Sequence, residues 1–196
     1  MNAWRPALLV AVAFATTAPP RSALAEREVK PAISIDARAR KDQPKRVVVE
    51  ASVEIEAPPE AVWAAIVDFD ARVDESWIVK DCEVYARKNS SGRYMRKVRW
   101  DLSVLGIAVT YHTVYRSDPS RRQISWGLDE RKENDLRFAR GTYALHPVRG
   151  GTTRLDYEFE IESRVEAAVE LRKSLTSREV KKLLTNVEKR AKKVRM

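Results

Sequence analysis

The sequence predicts an α+β domain: one curved antiparallel sheet of about seven strands, wrapped around a long C-terminal helix, with two short helices after the first strand. Three observations predict it. From Val47 to Glu162, apolar and polar residues alternate in run after run, the period of strands with one dry and one wet face. After Ser163 the period changes to that of a helix. A sheet with one dry face needs a cover, and only this last segment is long enough to supply it.

Each element follows in order. Val47, Val49, Ala51, Val53 and Ile55 alternate with Glu50, Ser52, Glu54 and Glu56, which makes the first strand of the sheet. Pro58-Pro59 stops it and opens a helix over Glu60 to Phe69, with Val62, Trp63, Ile66 and Phe69 on its buried side. Asp70 to Trp77 reads as a second short helix or turn. Strands then cover Ile78–Arg87, Arg93–Val104, Ile107–Arg116, Gln123–Asp129, Leu136–His146 and Thr152–Glu162. Asn89-Ser90-Ser91-Gly92, Leu105-Gly106, Asp118-Pro119-Ser120 and Arg149-Gly150-Gly151 are the turns between them, and Arg131–Asn134 is a charged loop. At the end, Val180, Leu183, Leu184, Val187, Ala191 and Val194 form one apolar stripe. Thr176 followed by Glu179 fits a capping box at the start of that helix.

The first 25 residues have the layout of a secretory signal peptide: Arg5, an apolar stretch Ala7–Ala15, then Ala23-Leu24-Ala25 before the cleavage point. The apolar stretch falls well short of the roughly 20 residues of a membrane span. Export to a periplasm, or secretion, is therefore expected. Residues 26–46 are charged, hold Pro31 and Pro44 and lack a sustained period; they read as a flexible N-terminal arm, with a short strand conceivable at Ala32–Ile35. Residues 47–196 form the folded domain.

Composition narrows the function. The chain of 196 residues carries 37 Lys+Arg against 28 Asp+Glu, for a net charge of +9. Residues 164–196 hold eleven basic and four acidic side chains, so the excess sits on the last helix. A single cysteine, Cys82, excludes an intrachain disulfide and a cysteine-cluster zinc site. Two histidines, His112 and His146, leave little for a metal centre. No metal and no cofactor are expected.

The order of elements, with its motifs, resembles the START-like superfamily of helix-grip proteins, also called SRPBCC, which includes polyketide cyclase/dehydrase-type and coenzyme Q-binding START-like proteins. The likeness runs from about Val47 to Lys193. It rests on Pro58-Pro59-Glu60-Ala61-Val62-Trp63 after the first strand, the strand pair meeting at Leu105-Gly106, and Ile124-Ser125-Trp126. Gly141-Thr142-Tyr143-Ala144-Leu145-His146-Pro147 and Gly151-Thr152-Thr153-Arg154-Leu155-Asp156-Tyr157 complete it. The chain departs from the pattern at Val165-Glu166-Ala167-Ala168, where many relatives carry a Pro-rich turn. The resemblance implies a hydrophobic cavity between sheet and helix, used by relatives for lipids, quinones, sterols or polyketides.

Residues for chemistry are few. Neither histidine stands in a catalytic or metal motif, and no H-E-x-x-H, phosphate-binding loop or dinucleotide fingerprint occurs. Asp101 and Asp129 are strand-borne acids that alternation puts on the wet face in preference to the inward one, and the acid–base candidates for a cyclase or dehydrase are His112 with Tyr111, or Asp101. Aromatic residues offer more. Trp100, Tyr111, Trp126, Tyr143, Tyr157 and Phe159 fall on inward faces, where they either fill a solid core or, as the resemblance implies, wall a cavity. Val98 and Val109 share those faces. Arg96 shares the parity of Tyr94, Val98 and Trp100, and an inward cation needs a partner: an acid or a ligand's polar head.

The expected function is thus an exported, non-enzymatic, monomeric binding protein for a hydrophobic small molecule, touching anionic membrane transiently through its basic helix. A cyclase or dehydrase using the same cavity is the alternative. The basic helix also fits nucleic acid electrostatically, but a signal peptide argues against such a partner, and none is expected.

Overall fold

In the computed structural model, which describes residues 32–164 and 168–194, the alternating runs form one antiparallel sheet of eight strands. The signal segment, residues 26–31 and Val165-Glu166-Ala167 lie outside the described residues. The elements are β1 (Ser34–Arg40), β2 (Gln43–Ile55), α1 (Pro59–Val67), α2 (Ala71–Glu75), β3 (Val79–Ser90), β4 (Arg93–Val104), β5 (Ile107–Asp118), β6 (Gln123–Leu128), β7 (Leu136–Val148), β8 (Thr152–Ser163) and α3 (Val169–Lys193). The strand order is β1-β2-β8-β7-β6-β5-β4-β3. The two short helices bridge from β2, near one edge, to β3, the other edge.

Turn chemistry sets the hairpins. Leu105 and Gly106 both take positive φ, 52° and 82°, and so do Ser91 and Gly92, at 48° and 75°. Two consecutive left-handed residues match the twist of the strands that they join.

The core lies between the concave face and the helices. Val49, Ala51 and Val53 of β2 stand opposite Phe159, Tyr157 and Leu155 of β8, and all six are buried. Helix α3 lays Val180, Leu184, Val187 and Ala191 on this face, while α1 adds Ala61, Val62, Ala65 and Ile66. Arg190 locks the helices together: it donates to the Ala65 carbonyl at 2.8 Å and pairs with Glu75 and Asp68.

Two expectations need correction. The segment read as a flexible arm as far as residue 46 is ordered strand from Ser34 onward, which raises the count to eight. Its charges are paired: Arg38 with Asp36 of the same strand and Glu50 of β2, and Arg40 with Glu160 of β8. Ile35, Ala37 and Ala39 between them are half-buried. Secondly, α3 begins at Val169 and runs unbroken, so Thr176 is not a cap. Its hydroxyl donates back to the Arg172 carbonyl at 2.7 Å, as mid-helix threonines do, and the capping box does not form.

Candidate functional site

A cavity of about 510 Å³ opens between the sheet and the first half of α3. That size suits a small ligand, and so does a mostly apolar wall with few polar groups. Its floor is the concave face. Trp100 and Leu102 come from β4, Val109, Tyr111 and Tyr115 from β5, Trp126 from β6, Tyr143 from β7, and Tyr157, Phe159 and Ile161 from β8. Leu171, Leu175, Val180 and Leu183 of α3 form the roof, and Arg72 to Val79 close one side. Where the cavity meets solvent, its lining includes four exposed apolar side chains: Trp77, Leu105, Ile107 and Leu171.

The aromatic wall is continuous. Tyr143 and Tyr157 stack at 4.1 Å with planes 2° apart, and Tyr157 stacks on Phe159 at 5.0 Å. Trp126 lies 6.2 Å from Phe159 and 6.1 Å from Tyr115. Burial pushes the phenols of Tyr111, Tyr115 and Tyr157 above their ordinary pKa, so they stay neutral and keep their protons. The Trp100 indole N–H donates to Thr113 Oγ1 at 2.9 Å, whereas the buried Trp126 Nε1 has no partner among the described residues.

Of the three basic side chains that line the cavity, Arg72, Arg172 and Lys182, one is deeply buried. Arg72 on α2 is buried, donates from Nη2 to the Ile66 carbonyl at 2.9 Å, and leaves Nε without a partner. Its guanidinium lies 6.0 Å from the Phe69 ring and 6.0 Å from the Trp100 ring. Burial opposes its charge, but the neighbouring phenols of Tyr143, Tyr115 and Tyr157 outweigh that, so Arg72 stays ionised. At the mouth, Ser76 Oγ donates to Glu179 Oε2 at 2.9 Å and accepts from the Ile78 and Val79 N–H groups, tying the loop after α2 to the roof.

Of the nine residues singled out from the sequence, seven line the cavity: Trp100, Val109, Tyr111, Trp126, Tyr143, Tyr157 and Phe159. Val98 is fully buried in the core but does not reach the cavity surface. Arg96 faces inward at the wrong end of β4. It donates to Asn89 Oδ1 at 2.7 Å, stacks over Tyr94 at 5.0 Å and does not line the cavity. The inward cation is Arg72, which the sequence reading passed over. Phe69, Arg72 and Ser76 do recur at helical spacing, but over a segment too short for that spacing to single out Arg72. Tyr115 was legible, since it shares the parity of Tyr111.

The acid–base candidates lie elsewhere. Asp129 accepts from Lys97 Nζ at 2.7 Å and Tyr85 OH at 2.9 Å, while His112 Nδ1 bonds the Glu133 carbonyl at 3.0 Å. Asp101 accepts from Thr110 Oγ1 at 2.6 Å and pairs with Arg99. None of these acids or the histidine lines the cavity. Among the described residues, no group of three or more His, Cys, Asp or Glu is placed to hold a metal ion.

Cys82 is buried, and burial pushes its thiol up to about 12, more than the nearby Arg72 charge draws it down. A thiol reagent at pH 8 is expected to leave the native protein unlabelled and to label it fully in denaturant. Rapid native labelling would place this face of β3 in solvent.

Comparison with known proteins agrees with this geometry. Residues 46–192 match the family model described as polyketide cyclase / dehydrase and lipid transport. The chain belongs to that family. A START superfamily protein from Mycobacterium smegmatis is similar in structure, with a TM-score of 0.61 at 22% identity over 75% of this chain and 98% of its own. So is the Zhui aromatase/cyclase from a Streptomyces species, at 0.62 and 19% over 75% and 94%. Human STARD10 gives 0.66 at 10% over 82% and 69%. At these identities the likeness concerns the helix-grip fold alone. Among curated proteins, no significant match to the sequence is found.

Proposed function

We propose that this START-like chain is an exported, monomeric carrier that holds a hydrophobic small molecule in the cavity, loads it at an anionic membrane surface, and catalyses no reaction. The observation that carries this reading is the aromatic-walled cavity, open through a rim of exposed Trp77, Leu105, Ile107 and Leu171. A ligand there gains about 25 cal/mol per Å² of apolar surface removed from water. Basic side chains stand beside the rim: Lys182 lines the cavity, and Arg178 packs over the Trp77 ring at 5.5 Å. Each basic residue near an anionic bilayer contributes about 1 kcal/mol. Lipid transport is half of the family's description.

Native mass spectrometry with organic extraction tests this on full-length protein made in a host with an export pathway. The expected result is a chain beginning at Glu26 that carries a lipid, quinone or sterol. An apo mass, with no later uptake of a fluorescent lipid, overturns the carrier reading, and an intact N-terminus overturns export. Charge reversal at Lys181, Lys182, Lys189 and Lys193 should abolish binding to phosphatidylglycerol vesicles; unchanged binding removes the membrane step.

The competing reading is an enzyme of cyclase or dehydrase type. One observation favours it: Glu179, on the cavity wall, keeps Oε1 buried without a partner among the described residues. A general acid or base needs such a placement. Turnover of a poly-β-ketone thioester that is lost in Glu179→Gln would establish the enzyme in place of the carrier.

A further inference from the structure

Arg72 is nine-tenths buried in an aromatic setting, and among the described residues no carboxylate lies within ion-pair distance of it. The nearby acids are engaged elsewhere: Glu75 and Asp68 both pair with Arg190, while Asp70 and Asp74 are exposed. A buried charge without a counter-ion is costly, and among the described residues the Ile66 carbonyl, aromatic faces and tyrosine oxygens meet it, with no carboxylate beside it. Among the described residues its Nε has no acceptor, whereas the unpartnered Trp126 Nε1 is turned to the Gly141 backbone and away from a ligand. Arginine can only donate. The cavity wall therefore holds a buried guanidinium with no counter-ion among the described residues, while the other charged side chains of the lining, Glu75, Arg172, Glu179 and Lys182, are less buried. A planar oxyanion matches the guanidinium fork in both shape and charge.

We propose that the cavity takes a carboxylate-bearing amphiphile head first, with the carboxylate seated on Arg72 and the apolar tail running along the aromatic wall to Leu105, Ile107 and Leu171 at the mouth. This rests on the carrier reading above and narrows it to acidic lipids. Arg72 is then the specificity-determining residue. It rejects a neutral chain of equal length, because such a ligand leaves the buried charge unanswered.

Calorimetric titration of the full chain with palmitate and with hexadecanol tests this. Palmitate is expected to bind roughly tenfold or more tighter, the scale of one charge-assisted hydrogen bond. In Arg72→Met that preference should vanish, with palmitate bound more weakly and hexadecanol more tightly than by the wild type. Equal affinities in the wild type, or a preference that survives Arg72→Met, overturn the proposal and leave the carrier reading standing. If neither probe binds, both fall together. Arg72→Met also removes the donor to the Ile66 carbonyl, so a second measurement uses the wild type alone. Bound palmitate labelled with ¹³C at the carboxyl should stay ionised well below pH 4, under the ordinary carboxyl range of about 4. A carboxyl that titrates at or above that range overturns the proposal.

Discussion

Replacing Asp129 with alanine should destabilise the protein by about 3 kcal/mol, measured by urea unfolding, although the residue touches no part of the cavity. Asp129 is 5% exposed and holds three donors: Lys97 Nζ, Tyr85 OH and the Arg131 N–H. Removing it leaves a partly buried ammonium and phenol without their acceptor, which costs more than the pair itself contributes. It also frees the loop between β6 and β7. The pH dependence has a definite sign. Burial works against the Asp129 charge, but the bonds from Lys97 and Tyr85 outweigh it and hold the carboxyl below its ordinary value. A carboxyl depressed in the folded state stabilises fully above its unfolded pKa of about 3.9 and loses that contribution as pH falls through the folded value. The gap between wild type and variant should stay flat from pH 7 to 5 and close below pH 4. Asp101→Ala is the control. Asp101 is half-buried and pairs with Arg99, itself 45% exposed, so its loss should cost under about 1 kcal/mol. Equal losses at the two sites would show that the buried cluster contributes nothing beyond a surface pair.

Asp101 and Asp129 looked alike in the sequence, and the reason bears on what a sequence can show. Alternation gives the face of a strand. It assigned Trp100, Val109, Tyr111, Trp126, Tyr143, Tyr157 and Phe159 to the concave side, and all seven line the cavity. Alternation does not give the position along a strand. Arg96 has the right parity but sits beside the Ser91-Gly92 turn, four residues from Trp100, where the core rather than the cavity faces it. Periodicity also loses force in short elements. Arg72 belongs to a five-residue helix, too brief for an apolar stripe to point at it. Charge misled at β1, where Asp36, Arg38 and Arg40 gave the composition of a tail. The arginines' partners Glu50 and Glu160 stand 12 and 120 residues away, and only the folded sheet brings them together. The helix-grip order was legible because each strand announced itself locally. The identity of the inward cation was not, because it depends on where α2 docks.

Two glycines of adjoining strands should respond to alanine with opposite signs. Gly141 of β7 stands between Trp126 of β6 and Phe159 of β8. A Cβ there would lie 2.6 Å from Trp126 Nε1, 2.7 Å from Trp126 Cε2 and 2.7 Å from Phe159 Cβ. Neither neighbour is the end of a flexible chain: the indole is one rigid plane, and Phe159 Cβ is fixed to the backbone of the central strand β8. The indole must therefore swing away, and both Trp126 and Phe159 are cavity wall. Overpacking of this kind costs about 3 kcal/mol at the upper end of its usual range. Gly127 of β6 is different. Its Cβ would meet the Ala139 carbonyl oxygen at 3.5 Å and Arg140 Cβ at 3.9 Å, which are ordinary contacts. There, alanine only restricts the unfolded chain, and the gain should be about 0.5 kcal/mol. Thermal unfolding of Gly141→Ala and Gly127→Ala reads both signs. Uptake of a fluorescent fatty acid then separates the cavity from general stability. Below its melting temperature Gly141→Ala should bind at least tenfold more weakly, while Gly127→Ala binds as the wild type does. Undiminished uptake by a destabilised Gly141→Ala would mean that the indole moves away from the cavity, and that Trp126 is packing against the sheet rather than shaping the ligand's seat.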